Sequence, residues 1–212
     1  MAWWSDHVVP RVVDRALSTD DVMQERAAAC VGLSGRVLEI GFGSGRNIGL
    51  YPAAVESVSA VEPSDTAWRM SADRRASSTV PIVRSGLDGQ ALDEPDATYD
   101  SVLSTFTLCT IPDVESALSE ARRVLRPGGA LVFLEHGLAP DPRVATWQRR
   151  LDPLQGAVVA GCHLTRDMAA LVTGAGFRMD TLDRHYLPGP AFAHPWTYAY
   201  SGTALAPSHA AS

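Results

Sequence analysis

The chain of 212 residues is long enough for one well-buried domain and short for two, and its 46% hydrophobic, 20% charged composition is that of an ordinary globular protein. A net charge of −6 argues against a nucleic-acid or anionic membrane surface, which needs a basic stripe. All 18 basic residues are Arg, and a chain without Lys excludes a P-loop NTPase, a Schiff-base enzyme and a protein kinase, each of which has a Lys at its centre.

Three cysteines, Cys30, Cys109 and Cys162, are an odd number without CxxC spacing, so the sequence suggests neither a disulfide framework nor a zinc site, and no metal is expected. Asp6, Arg11, Asp14 and Arg15 oppose a secretory apolar region at the N-terminus. No apolar run approaches the ~18–20 residues of a membrane span, so no integral membrane segment is expected and the default compartment is the cytoplasm.

In chain order, residues 1–34 read as helices. Val8, Val9, Val12, Val13 and Leu17 recur at the three- and four-residue spacing of an amphipathic face, and Ser18-Thr19-Asp20-Asp21 caps a second helix through Cys30. Trp3 and Trp4 either pack the first helix or form a lid over a pocket. From residue 36 strands alternate with helices. Strands are expected at Arg36–Ile40, Val55–Val61, Val80–Val83, Tyr99–Ser104 and Ala130–Leu134. Helices are expected directly after Gly45, from Ser64-Asp65 to Arg75, and over Asp113–Leu125, where Arg126-Pro127-Gly128-Gly129 gives the stop signal.

Such alternation implies a Rossmann-like, doubly wound α/β sheet of seven strands, mostly parallel with an antiparallel edge, in one domain spanning 1–212. Residues 36–135 form its core. Residues 138–166 interrupt the alternation as a helical cap after the fifth strand, a helix follows from Thr165 to Thr173, and Arg178–Tyr186 with Trp196–Thr203 read as a hairpin-like pair at the sheet edge. Residues 206–212 read as a flexible tail. Ligands of such sheets bind beyond the carboxyl ends of the strands, so Gly41–Gly45, Glu62, Asp88, Thr105 and Glu135-His136 are expected on one rim.

The stretch Val37-Leu38-Glu39-Ile40-Gly41-Phe42-Gly43-Ser44-Gly45-Arg46-Asn47 reads as a buried strand breaking into a glycine turn that opens a helix. Glycine serves where φ must be positive or a ligand approaches the backbone. A dinucleotide fingerprint wants its third glycine at GxGxxG; that position is Arg46, and the third glycine comes one residue early at Gly45.

These residues, with Glu62 after the second strand, resemble motif I and the following acidic residue of class I S-adenosylmethionine-dependent methyltransferases. Leu125-Arg126-Pro127-Gly128-Gly129 and the segment from Asp88 through Asp100 resemble phrases of the type-11 subgroup. The resemblance implies S-adenosylmethionine as cofactor, S-adenosylhomocysteine as product, and a cofactor-binding set of Glu39, Gly41, Gly43, Gly45, Asn47, Glu62, Pro63, Asp88, Gly89 and Thr105. Glu62 is placed to accept the ribose hydroxyls, Asp88 the adenine amino group with the Gly89 N–H beside it, and Glu39 to balance the methionine ammonium, unless it pairs with a neighbouring Arg.

Farther on, Thr107-Leu108-Cys109, Trp147 through Pro153, Gly161 through Arg166, and Gly174-Ala175-Gly176-Phe177 look like the methyltransferase-like thiol S-methyltransferases and their bacterial relatives. The N-terminus departs from the animal members, which carry a hydrophobic anchor where this chain has polar helices. This implies a small-molecule acceptor, a thiol in the first instance and otherwise a nitrogen or oxygen, with no nucleic-acid partner and no statement of oligomeric state. His136 is the candidate base, or a structural hydrogen-bonding group at a strand end. Trp147, Cys162, His163 and Arg166 are candidate substrate residues, or alternatively fasten the cap loop. Arg149 and Arg150 either select an anionic substrate or form a solvated face. From other classes, an NAD-dependent oxidoreductase and a non-catalytic S-adenosylmethionine-binding protein remain open.

Overall fold

The computed structural model describes residues 9–158 and 161–208. Trp3 and Trp4 lie outside the described residues, as do 209–212. Two helices come first: α1 (Val9–Ala16) and α2 (Asp20–Cys30), the latter capped by Thr19, whose hydroxyl accepts the Val22 N–H. The sheet strands are β1 (Gly35–Ile40), β2 (Val55–Val61), β3 (Ile82–Gly86), β4 (Tyr99–Thr105), β5 (Leu125–His136), β6 (Arg178–Tyr186) and β7 (Tyr198–Leu205). Between them run α3 (Asp65–Met70), α4 (Ala72–Ala76), α5 (Val114–Val124), α6 (Pro142–Val158), α7 (Met168–Gly174) and α8 (His194–Thr197).

The seven strands lie in the order β3-β2-β1-β4-β5-β7-β6. β1 to β5 are parallel, and β7 runs antiparallel to both β5 and β6, so the last two strands make the expected antiparallel edge. After β1 the chain winds outward through β2 and β3, then returns to lay β4 on the other side of β1. That reversal opens a crevice beyond the carboxyl ends of β1 and β4.

Period-two alternation sorts the strand residues onto two cores. Leu38, Ile40, Val102, Leu131 and Phe133 pack under Ala117, Leu118, Ala121 and Val124 of α5 and Met168 and Val172 of α7. Val37, Val58, Leu103 and Val132 face the other way, onto Cys30, Leu33 and Phe42. Asp113 caps α5 by accepting the Ser116 N–H.

Three local expectations are corrected. No helix follows Gly45: the stretch 46–50 consists of turns with Ile48 N–H on Gly45 O and Leu50 N–H on Asn47 O, because Gly49 is left-handed (φ +89°) and the Asn47 side chain is drawn inward. The helix expected through Arg75 breaks at Ser71, whose hydroxyl donates back to the Trp68 carbonyl. The tail begins later than residue 206, since Ala206 is buried and its N–H donates to Gly129 O.

Candidate active site

The crevice between β1 and β4 holds a pocket of about 390 Å³. Its floor is the glycine turn. Gly41, Gly43 and Gly45 all have left-handed φ (+74°, +59°, +75°), and a Cβ on Gly41 would sit 2.0 Å from the Thr107 hydroxyl oxygen, so no other residue fits there. The turn's own N–H groups are tied down: Gly41 and Phe42 donate to Val61 O, and Gly43 donates to Glu62 Oε2 at 2.6 Å.

Glu62 stands at the end of β2 in the pocket wall. Its other oxygen, Oε1, accepts the Ser64 N–H at 2.7 Å. Burial raises the carboxyl pKa, and the two backbone N–H groups pull it back. An ionised carboxylate offers about four lone-pair sites, so two remain for hydroxyls in the pocket. Pro63, Asp88, Gly89 and Thr105 line the same pocket. Gly89 packs closely on Ile40, where a Cβ would lie 2.9 Å from Cγ2. Asp88 is exposed and held by Gln90, which donates to Oδ1 and lowers its pKa.

Three residues of the expected cofactor set do not reach the wall. Glu39 is 1% exposed, with Asn47 donating to Oε1 (2.9 Å) and the Tyr51 hydroxyl to Oε2, so its oxygens are occupied beneath the floor. Burial pushes its carboxyl up to about 7. Asn47 is equally buried, and Gly45 packs against Ile48, where a Cβ would lie 2.7 Å from Cδ1. Asn47 also joins Glu39 to a residue the sequence reading passed over, Arg26 of α2, which donates to Asn47 Oδ1 (3.0 Å) and Thr105 Oγ1 (2.7 Å). Arg26 lines the pocket, and its Nε is buried without a partner among the described residues.

α1 closes the open side. Pro10, Val13, Asp14 and Leu17 line the pocket, and Asp14 accepts from the Ser44 hydroxyl and from both Nε and Nη2 of Arg46. The Arg46 guanidinium and the Ser44 hydroxyl hold the Asp14 carboxyl below its usual range. Arg46 thus fastens a helix over the glycine turn. Phe106, left-handed at φ +54° without being glycine, forms the wall after β4, with the Arg26 guanidinium 5.2 Å from its ring centroid.

The expected catalytic and substrate residues lie elsewhere. His136 is not in the pocket wall; its ring packs behind Phe106 with centroids 4.8 Å apart. Glu135 is fully buried, accepting from Ser104, Thr107, Leu108 and Cys109. Trp147 is 55% exposed on α6 with Arg150 over its ring. His163 pairs with Asp152 at 3.1 Å, and Arg166 donates to the carbonyls of Leu108 and Pro112. Cys162 is buried against Cys109. The cap is pinned by the fully buried Gln148, which accepts from Ala139 N–H and donates to Gly137 O and Pro195 O. None of Trp147, Cys162, His163 and Arg166 lines the pocket, and Cys162 and Arg166 join the cap to the segment after β4.

The pocket fits S-adenosylmethionine. Glu62 offers lone pairs that a diol could fill, Asp88 and the Gly89 backbone offer groups that an amino-substituted ring could meet, and Arg26 Nε, without a partner among the described residues, is a donor that a carboxylate could use. Residues 38–133 match the Methyltransferase domain family. The chain is 35% identical over 137 residues to thiol S-methyltransferase TMT1B of Rattus norvegicus, covering 62% of this chain and 55% of that one. It is 30% identical over 181 residues to thiol S-methyltransferase TMT1A of Homo sapiens, covering 80% and 72%. The chain therefore spans between about half and three-quarters of the length of these relatives. Its fold superposes on an S-adenosylmethionine-dependent methyltransferase of Mesorhizobium loti with TM-score 0.66 at 15% identity, over 89% of this chain and 99% of that one. With its fold, its switch-point pocket and these relatives together, the chain belongs to the class I S-adenosylmethionine-dependent methyltransferases.

Proposed function

We propose that the chain methylates the sulfur of a small-molecule thiol. The cofactor, when bound, supplies a methyl group already activated on a sulfonium. Glu62 would hold the ribose hydroxyls, Asp88 and Gly89 the adenine, and Arg26 the carboxylate. Methyl transfer then needs alignment of donor and acceptor and exclusion of water, which α1 provides by closing over the glycine turn through Asp14 and Arg46.

The observation that carries the thiol reading is the apolar part of the pocket lining, which includes Val13, Leu17, Leu87, Phe106 and Ile111. A thiolate attacking a sulfonium cancels one negative and one positive charge. Low-dielectric walls therefore favour that transition state over the separated ions. A neutral amine attacking the same sulfonium only moves a positive charge and gains nothing comparable. A thiol with an unperturbed pKa of ~8.5 is already about one-tenth thiolate at pH 7.5, whereas an alkylamine of ~10.4 is almost wholly ammonium. In this reading the thiol proton leaves to solvent, and His136, packed against Phe106 outside the pocket wall, takes no part in the transfer.

The experiment is incubation of the purified chain with methyl-labelled donor and a panel of alkyl and aryl thiols beside ethanolamine lipids, quinols and phenols. Labelled thioether is the expected product, at a rate that rises with pH toward each thiol's own pKa. Label appearing only on nitrogen, oxygen or carbon acceptors overturns the reading.

A further inference from the structure

Behind Phe106, three chain segments bring together groups that methyl transfer does not use. Cys109 follows β4, His136 ends β5, and Cys162 leaves the cap; their two sulfurs and an imidazole nitrogen all lie within 4.8 Å of one another. The two sulfurs are 3.7 Å apart. Two thiolates on one tetrahedral zinc ion, each at about 2.3 Å, stand ~3.8 Å apart. A disulfide would need the same sulfurs at about 2.05 Å. The spacing matches that of two ligands on a shared ion, and in its absence the Cys162 thiol donates to the Cys109 sulfur across the same gap.

We propose that Cys109, His136 and Cys162 form a binding site for one zinc-class divalent cation per chain, independent of which acceptor is methylated. Each ligand is set by its own framework. Glu135, fully buried, accepts the backbone N–H groups of Thr107, Leu108 and Cys109, which fixes the Cys109 loop. His136 is the last residue of the β5–β7 ladder, opposite Ala199, and its ring rests on Phe106. Cys162 is held on both sides. Gly161, left-handed at φ +83°, comes so close that a Cβ would lie 3.0 Å from Thr110 O. The His163 N–H donates to Cys109 O at 2.8 Å, and the Leu164 N–H to Asp152 at 2.7 Å. Such supporting bonds orient ligands before the ion arrives.

The charges also agree. Arg166 is close enough to act on both thiols, and a bare dication beside it in a buried site would be costly. Two thiolates and a neutral imidazole make the loaded site neutral overall. Three protein ligands leave a fourth position for water or an added thiolate.

The test is titration of the chelator-stripped full chain with Co²⁺. Expected are saturation at one equivalent, thiolate-to-cobalt charge-transfer absorption in the near ultraviolet, and displacement by Zn²⁺. Cys109→Ser and Cys162→Ser should each weaken binding by about tenfold or more and lower the charge-transfer band. Cys30→Ser, in the core on the other face of the sheet, should leave both unchanged. X-ray absorption of the zinc-loaded wild type, which needs no variant to fold, should give two sulfur neighbours at about 2.3 Å. A wild-type chain without a thiolate–cobalt band, zinc with only nitrogen and oxygen neighbours, or a band that survives both serine variants overturns the proposal.

Discussion

The two sides of Phe106 use polar side chains in opposite ways. On the pocket side each keeps capacity in reserve: Glu62 has lone pairs beyond its two backbone partners, Asp88 accepts from Gln90 through Oδ1, and Arg26 keeps Nε without a partner among the described residues. On the far side Cys109, His136 and Cys162 face one another and are fixed by Glu135 and the cap, away from the pocket wall. Reserve capacity marks a surface built for a ligand rich in hydrogen-bonding groups. Inward convergence marks a site for something the size of an ion. One aromatic ring in a left-handed backbone conformation separates them.

The contrast rests most heavily on Arg26. Arg26→Ala removes two buried charge-assisted hydrogen bonds and strips Asn47 Oδ1 and Thr105 of a donor. The expected cost is about 3–4 kcal/mol of unfolding free energy, read by urea denaturation, with cofactor binding weakened as well. Stability close to wild type would mean that the network under the floor is dispensable.

Glu39 sharpens the contrast through pH. Its folded-state pKa of about 7 lies above the usual 4.5, so the folded protein binds the proton more tightly than the unfolded chain. The stability this contributes is fully present below about pH 4.5 and lost as pH rises through about 7, and Glu62 shifts in the same direction. Across that window Glu39 should account for about 3 kcal/mol. Glu39→Gln, which can still accept from Asn47, should flatten this part of the stability curve; an unchanged slope would show that Glu39 is ionised in its buried site.

Asp14 gives the smallest effect. Asp14→Asn loses the ion pair with Arg46, partly exposed and therefore worth about 1 kcal/mol. Cofactor affinity should fall about fivefold while the melting temperature changes little. A loss of stability without a change in affinity would make α1 a scaffold and not a cover.

What the sequence made legible was local. Positive φ in a strand-to-turn transition demands glycine, so the turn at Gly41–Gly45 could be read from spacing, whereas Glu62 took its expected role from the family resemblance. Arg26 could not be read either way, since it meets Thr105 across 79 positions and looks like any helix arginine. The thiol cluster was hidden for the same reason: its members are 27 and 26 positions apart, while metal spacing is recognised in sequence as close pairs. Trp147, His163 and Arg166 of the cap, reactive types in the sequence, stand outside the pocket lining. Gln148 ties the segment to the chain just after β5, Asp152 braces its own turn at His163 and Leu164, and residues of α1 line the pocket. The missing helix after Gly45 has a local cause, Gly49, which was visible but outweighed by the familiar strand–turn–helix pattern.

The pocket's central claim is that Glu62 holds S-adenosylmethionine. Calorimetric titration of the wild-type chain and of Glu62→Ala with S-adenosylmethionine tests it directly. One site per chain in the wild type is expected, weakened by about 10–100-fold in the variant, as befits the loss of charge-assisted hydrogen bonds to a diol. Equal affinity in the two proteins, each shown to be folded, would contradict the assignment of this pocket to the cofactor.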